Sequence, residues 1–147
     1  MITATIRYRD AERRARTGQS VILPRSNPAT DVLAELAPRP GDRVLTKTSI
    51  DVFMSTRLSE ELRVGGVETL VITGVLTDAG VESSARHAAE RGFQVVVVED
   101  ACATWEEAFH AASLRSLSRY FARIASTDDV VAGVERAAGT TGRADYW

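Results

Sequence analysis

The run TLVITGVLTDAGVESSARHAAERGFQVVVVEDACA, from Thr69 to Ala103, decides the fold. Two apolar, β-branched stretches, Thr69 to Thr73 and Gln94 to Val98, flank an alanine-rich stretch from about Asp78 to Arg91 that stops at Gly92. β-branched side chains pack well on a pleated surface, whereas alanine favours a helix, so the run reads as strand, helix, strand. A helix long enough to cross over brings the second strand back parallel to the first.

Working outward, the same alternation continues. Further strands are expected at Ile2 to Tyr8, Arg43 to Thr46 and Ala122 to Ala125. Three of the five strands are almost wholly apolar inside, the composition of strands buried on both faces. A helix over Ser55 to Val64 puts Leu58 and Leu62 on one face, offers Ser55 or Thr56 as N-cap, and ends at Gly65-Gly66. Another runs from about Trp105 to Tyr120, and a last one follows the cap-like Ser126-Thr127-Asp128-Asp129. The expected class is α/β, a three-layer doubly wound parallel sheet with helices on both faces. The charged segment Arg9 to Arg25 leads to Pro24, Asn27 and Pro28 and reads as a surface excursion. The chain reads as one domain, 1–147, with 139–147 as a flexible tail on which Tyr146 and Trp147 could dock to a neighbour.

Composition narrows the function. At 147 residues, with 44% hydrophobic residues, the chain can build one continuous core. The 18 Lys and Arg against 20 Asp and Glu leave no basic excess of the kind that grips nucleic acid or anionic lipid. No apolar run spans a bilayer, and Met1-Ile2-Thr3-Ala4 lacks the regions of a signal peptide, so a cytoplasmic address is expected. One cysteine and two histidines make neither an internal disulfide nor a usual zinc site, and no metal or cofactor is expected.

In an open parallel sheet, ligands bind beyond the carboxyl ends of the strands. That rule selects Lys47 with Asp51 and Phe53, the turn Gly74-Val75-Leu76-Thr77-Asp78-Ala79-Gly80, and Glu99-Asp100-Ala101-Cys102. Taken singly, each has an ordinary reading. A lysine after a strand is usually a solvated charge, a turn glycine serves backbone geometry, and an aspartate there caps or turns the chain. Cys102 reads as a small buried side chain, with no neighbouring base or cation in the sequence to form thiolate. His87 and His110 lie on expected helices and read as surface or packing residues.

Taken in order, these pieces resemble the isochorismatase-like hydrolase superfamily from Pro40 to Val131. The matching motifs are PGDRVLTK at Pro40 to Lys47, DVF at Asp51 to Phe53, the Thr69 to Ala103 run, and HAASLRSLSRYFARIASTDDVV from His110 to Val131. The resemblance implies the Rossmann-like fold of that family. It also implies a lysine at Lys47, an aspartate after the first strand, and a cysteine nucleophile at the position of Gly80. A helix N-terminus and a nearby ammonium would lower such a thiol's pKa. Main-chain amides at Leu76 and Gly80 would form an oxyanion hole, with a non-proline cis peptide in the turn. Asp51, Phe53, Leu76, Thr77 and Gly80 are the implied substrate contacts, and Lys47 and the turn are implied to face one pocket.

Two departures matter. With Gly80 at the nucleophile's place, thioester chemistry through that residue is impossible, and Cys102 matches a different family cysteine. Isochorismatases of siderophore and phenazine pathways also look glycine-bearing there, and hydrolyse a vinyl ether by acid catalysis without a protein nucleophile. Second, aligning Ile2 to Arg9 with the family's second strand leaves no first strand, Asp-x-Gln motif or following helix. Either the sequence is N-terminally truncated, lacking a strand near the middle of the sheet, or the domain has been rebuilt, with a partner chain covering the gap. A different alignment sets Met1 to Tyr8 on the first strand and makes Asp10 the acid. The leading expectation is a hydrolase of a small metabolite that works without a thiol, for example on a vinyl ether. The alternatives are an inactive binding or interaction protein, or a degenerate cysteine amidase. Additional uncovered apolar surface leads us to expect a homo-oligomer.

Overall fold

Parallel pairing organises the strands of the computed structural model, which describes residues 2–6 and 31–138. The chain divides into two compact units, Met1–Leu62 and Arg63–Trp147.

In the first unit, β1 (Ile2–Ile6) pairs in parallel with β2 (Arg43–Lys47), from Ile2 opposite Arg43 to Ile6 opposite Lys47. A 3-10 turn at Ala34–Leu36 precedes β2. After β2 the chain bends through residues 48–57 into α1 (Leu58–Val64), whose Leu58 and Leu62 are buried as their four-residue spacing requires. The helix is shorter than expected because its first candidates close the preceding loop. Ser55 Oγ accepts the Thr48 N–H at 3.0 Å, and Thr56 Oγ1 donates to the Val52 carbonyl at 2.7 Å. Thr56 Oγ1 also accepts the Leu58 N–H at 3.2 Å, satisfying one of the amides a helix start leaves orphaned.

In the second unit, β3 (Thr69–Val75), β4 (Gln94–Ala103) and β5 (Arg123–Ala125) form a parallel sheet with β4 in the middle. Between them lie α2 (Glu82–Glu90) and α3 (Glu107–Tyr120), and α4 (Thr127–Ala138) follows β5. Val95, Val96, Val97 and Val98 are all at most 6% exposed. Successive strand side chains point to opposite faces, so four buried in a row require cover on both. Helices α2, α3 and α4 all pack on β4, and α2 and α3 also pack on each other.

The α2 and α3 contact is polar as well as apolar. Arg86 Nε and Nη2 donate to Glu82 Oε1 at 3.0 and 2.6 Å, and Nη2 also donates to Ser116 Oγ at 2.7 Å. Ser113 Oγ donates to Glu82 Oε2 at 2.5 Å, and the guanidinium sits 4.5 Å from the Phe121 ring centroid. Glu82 and Arg86 are thus partnered where helix packing withdraws them from water.

Two features differ from the sequence reading. Where one sheet was expected, strand pairing gives a two-stranded and a three-stranded ladder, with no ladder joining β2 to β3 among the described residues. Only β4 shows the two-faced burial its composition suggests. In β3, Val71 is 48% and Val75 73% exposed while Leu70 and Ile72 are half-buried, so only one of its faces is covered. The Arg9 to Arg25 excursion and the 139–147 tail lie outside the described residues.

Candidate functional site

Lys47 ends β2, and its ammonium donates to the carbonyl of Ile50 three residues on. The loop that allows this is organised by Asp51, a buried carboxylate at 4% exposure whose Oδ1 accepts the Phe53 N–H at 2.9 Å. An aspartate that bonds the amide two residues on mimics a backbone turn, which brings the chain back under Lys47. Val52 and Phe53 are buried within the same loop. Burial pushes the Lys47 ammonium below the ordinary lysine range, and the negative charge of Asp51 opposes that shift. Replacing Asp51 by asparagine keeps an oxygen for the Phe53 amide but removes the charge. Asp51→Asn is therefore expected to lower the Lys47 pKa further, read by NMR titration of the carbon-13 dimethylated lysine. An unmoved or raised titration would contradict the assignment.

The second cluster belongs to the other unit. The peptide Val75-Leu76 at the end of β3 is cis. The chain then makes a π turn, Thr77–Val81, before entering α2. An α-helix was expected to begin near Asp78; here the first turn is one residue wider. The Leu76 carbonyl accepts the N–H of both Ala79 (3.1 Å) and Val81 (3.2 Å), closing the turn around Gly80. Thr77 is fully buried, and its Oγ1 lies 2.9 Å from Nδ1 of His110 in α3. Asp78 Oδ1 accepts the Thr104 hydroxyl at 2.5 Å, from the connection between β4 and α3.

How β3 reaches this turn depends on one glycine. Ile72 lies opposite Val97, but Gly74 lies opposite Cys102, so the register jumps between them. Gly74 has φ +125°, a backbone conformation that side-chain-bearing residues rarely adopt.

The third cluster is corrected by the structure. Glu99 to Cys102 was expected just after a strand, but β4 continues through Ala103, because its later part re-pairs with Gly74 and Val75. Asp100 Oδ1 accepts both the N–H (2.8 Å) and the hydroxyl (3.0 Å) of Thr127, holding the start of α4. Cys102 is buried, its sulfur 4.0 Å from the Ile72 carbonyl, and burial pushes its thiol up. A thiol held protonated in this way is a poor nucleophile.

Lys47, Asp51 and Phe53 thus share one loop in the first unit, while Leu76, Thr77 and Gly80 share one turn in the second. Asp10 lies outside the described residues. Sequence reasoning missed His110 and Thr104, which hold the turn from distant positions in the chain. A buried threonine demands a hydrogen-bond partner, but nothing local names it. Among the described residues, no group of three or more His, Cys, Asp or Glu could hold a metal ion, and no helix is long and apolar enough to cross a membrane.

A parallel α/β sheet that delivers a strand through a tight turn into a helix is the frame of an α/β protein with its site at the strand ends. The family model for the isochorismatase domain matches residues 3–129, and the chain belongs to that family. An uncharacterized isochorismatase family protein of Bacillus subtilis is 31% identical over 105 residues, covering 71% of this chain and 56% of that protein. A phenazine biosynthesis protein of Pseudomonas aeruginosa is 35% identical over 108 residues, covering 73% of this chain and 52% of that protein. Among solved structures, a cysteine hydrolase from Pseudomonas syringae pv. phaseolicola superposes with a TM-score of 0.83 at 25% identity, over 92% of this chain and 72% of that one. The chain spans about half the length of the curated relatives it matches.

Proposed function

We propose that this protein hydrolyses a small metabolite without a thiol nucleophile, by the acid-catalysed route open to a vinyl ether such as isochorismate. The observation that carries this reading is the state of the sole cysteine. Cys102 is buried in β4 with its thiol pushed up, and the turn residue where the family resemblance puts a cysteine is Gly80. A covalent route through sulfur therefore has no group to begin it.

Vinyl ether hydrolysis needs none. A carboxylic acid, for which Asp10 is the candidate in the sequence, would give a proton to the terminal vinyl carbon and leave an oxocarbenium ion; water adds to it and returns a proton to the carboxylate, and the hemiketal collapses to a ketone and an alcohol. From isochorismate the ketone is pyruvate. The main-chain amides of Leu76 and Gly80 would bind a substrate carboxylate, and a carboxylate is likewise the group that an ammonium at Lys47 would attract. The choice of this route over an amidase rests on Gly80.

Incubating the purified protein with isochorismate is expected to release pyruvate in step with substrate loss, followed by a coupled lactate dehydrogenase assay. No pyruvate above the uncatalysed rate would defeat the reading and favour a binding protein on the same scaffold. An active Gly80→Cys variant with amide substrates would favour a degenerate amidase instead.

A further inference from the structure

A buried hydroxyl must find a partner, and the partner shows what the side chain is holding. Thr77 opens the π turn, is fully buried, and meets His110 Nδ1 at 2.9 Å across 33 positions of sequence. Its neighbour Asp78 is held by Thr104 at 2.5 Å. The Leu76 carbonyl, bonded to the amides of Ala79 and Val81, fixes the shape of the turn. Those internal bonds leave open the direction in which the turn faces. That direction is set by the two side-chain tethers, both of which run to the segment from the end of β4 into α3.

We infer that His110 is a positioning residue: through Thr77 Oγ1 it orients the main-chain amides of Leu76 and Gly80 toward a carboxylate or carbonyl oxygen. Imidazole suits the task because Nδ1 either accepts the threonine hydroxyl proton or, when it carries hydrogen, donates to the hydroxyl oxygen. His110 is itself half-buried in the first turn of α3, which packs directly on the π turn. A side chain so placed transmits the position of α3 to the turn without touching the ligand. The inference deepens the hydrolytic reading and rests on it only for its activity arm.

The test compares His110→Ala, His110→Asn and Thr77→Val with the parent protein. Amide hydrogen exchange over residues 76–82 and isochorismate turnover are both measured. Asparagine places an amide group near the position of Nδ1 and can serve either hydrogen-bonding role. His110→Ala and Thr77→Val are expected to speed exchange in the turn by about tenfold, as local opening becomes easier. They are expected to lower kcat by roughly ten- to a hundredfold with a smaller change in KM, the effect of misplaced groups. His110→Asn should restore most of both. Unchanged exchange in His110→Ala and Thr77→Val would overturn the inference, as would a His110→Asn variant no better than His110→Ala. If the parent protein releases no pyruvate, the vinyl ether reading fails, while the exchange measurements still decide the role of His110.

Discussion

Lys47→Met is expected to lower kcat/KM for isochorismate by about 10²- to 10³-fold, the usual scale for removing the cation from a hydrogen-bonded charge pair with a carboxylate. The side chain is fixed at both ends, at the root by β2 and at the tip by the Ile50 carbonyl, and the sequence has no second lysine to take its place. The same change should leave the thermal midpoint unchanged or raise it. Burial lowers the Lys47 pKa below its unfolded value, so the charged form is disfavoured in the folded protein. That penalty is fully present below the folded pKa and is relieved as pH rises through it toward the unfolded value. Methionine of similar length removes the penalty and keeps the packing of the stem. Turnover assays paired with thermal unfolding at neutral and alkaline pH check both halves. Unchanged turnover would remove the lysine from the reaction, and a collapse of stability would make it a structural group.

Leu117→Ala is expected to destabilise the second unit by about 2–5 kcal/mol, the range for truncating a buried leucine. Leu117 is 0% exposed and is the largest fully buried side chain among the described residues. It shares the buried face of α3 with Ser113 and Leu114, where the helix packs against α2, β4 and β5. Its carbonyl accepts the N–H of Phe121 (2.9 Å) and Ala122 (3.0 Å), so the helix turns toward β5 at the same point. A cavity there loosens the helix that carries His110. Leu117→Met, nearly equal in volume, should cost less than about 1.5 kcal/mol. Urea unfolding of both variants checks the difference, and equal stability of Leu117→Ala and the parent would show that the site relaxes without a cavity.

The legible parts of this protein are those decided by neighbours in sequence. The valine run of β4, the alanine-rich α2 and the leucine spacing of α1 follow from propensity and period, and each element forms, with α1 and α2 beginning later than expected. The capping signal at Ser126 to Asp129 was also readable. Asp129 Oδ2 accepts both the N–H (3.2 Å) and the hydroxyl (2.8 Å) of Ser126, and Ser126 Oγ accepts the Asp129 N–H at 3.2 Å. Those bonds hold the Asp129 carboxyl below the usual range. Boundaries were less legible. Re-pairing of β4 with Gly74 and Val75 carries it through Glu99 to Cys102, and that pairing depends on a register shift no local pattern encodes.

The amino-acid order by itself determined that the chain would be α/β with parallel strands, that Lys47 and Gly80 would follow strands, and that one cysteine would be its only thiol. These are consequences of side-chain chemistry and spacing along the backbone. Tertiary structure alone decided that β4 re-pairs with Gly74 and Val75, that Thr77 is sealed by His110, and that Asp78 is held by Thr104. Each of those facts joins groups far apart in the chain, and such contacts exist only once burial forces distant polar atoms to satisfy one another.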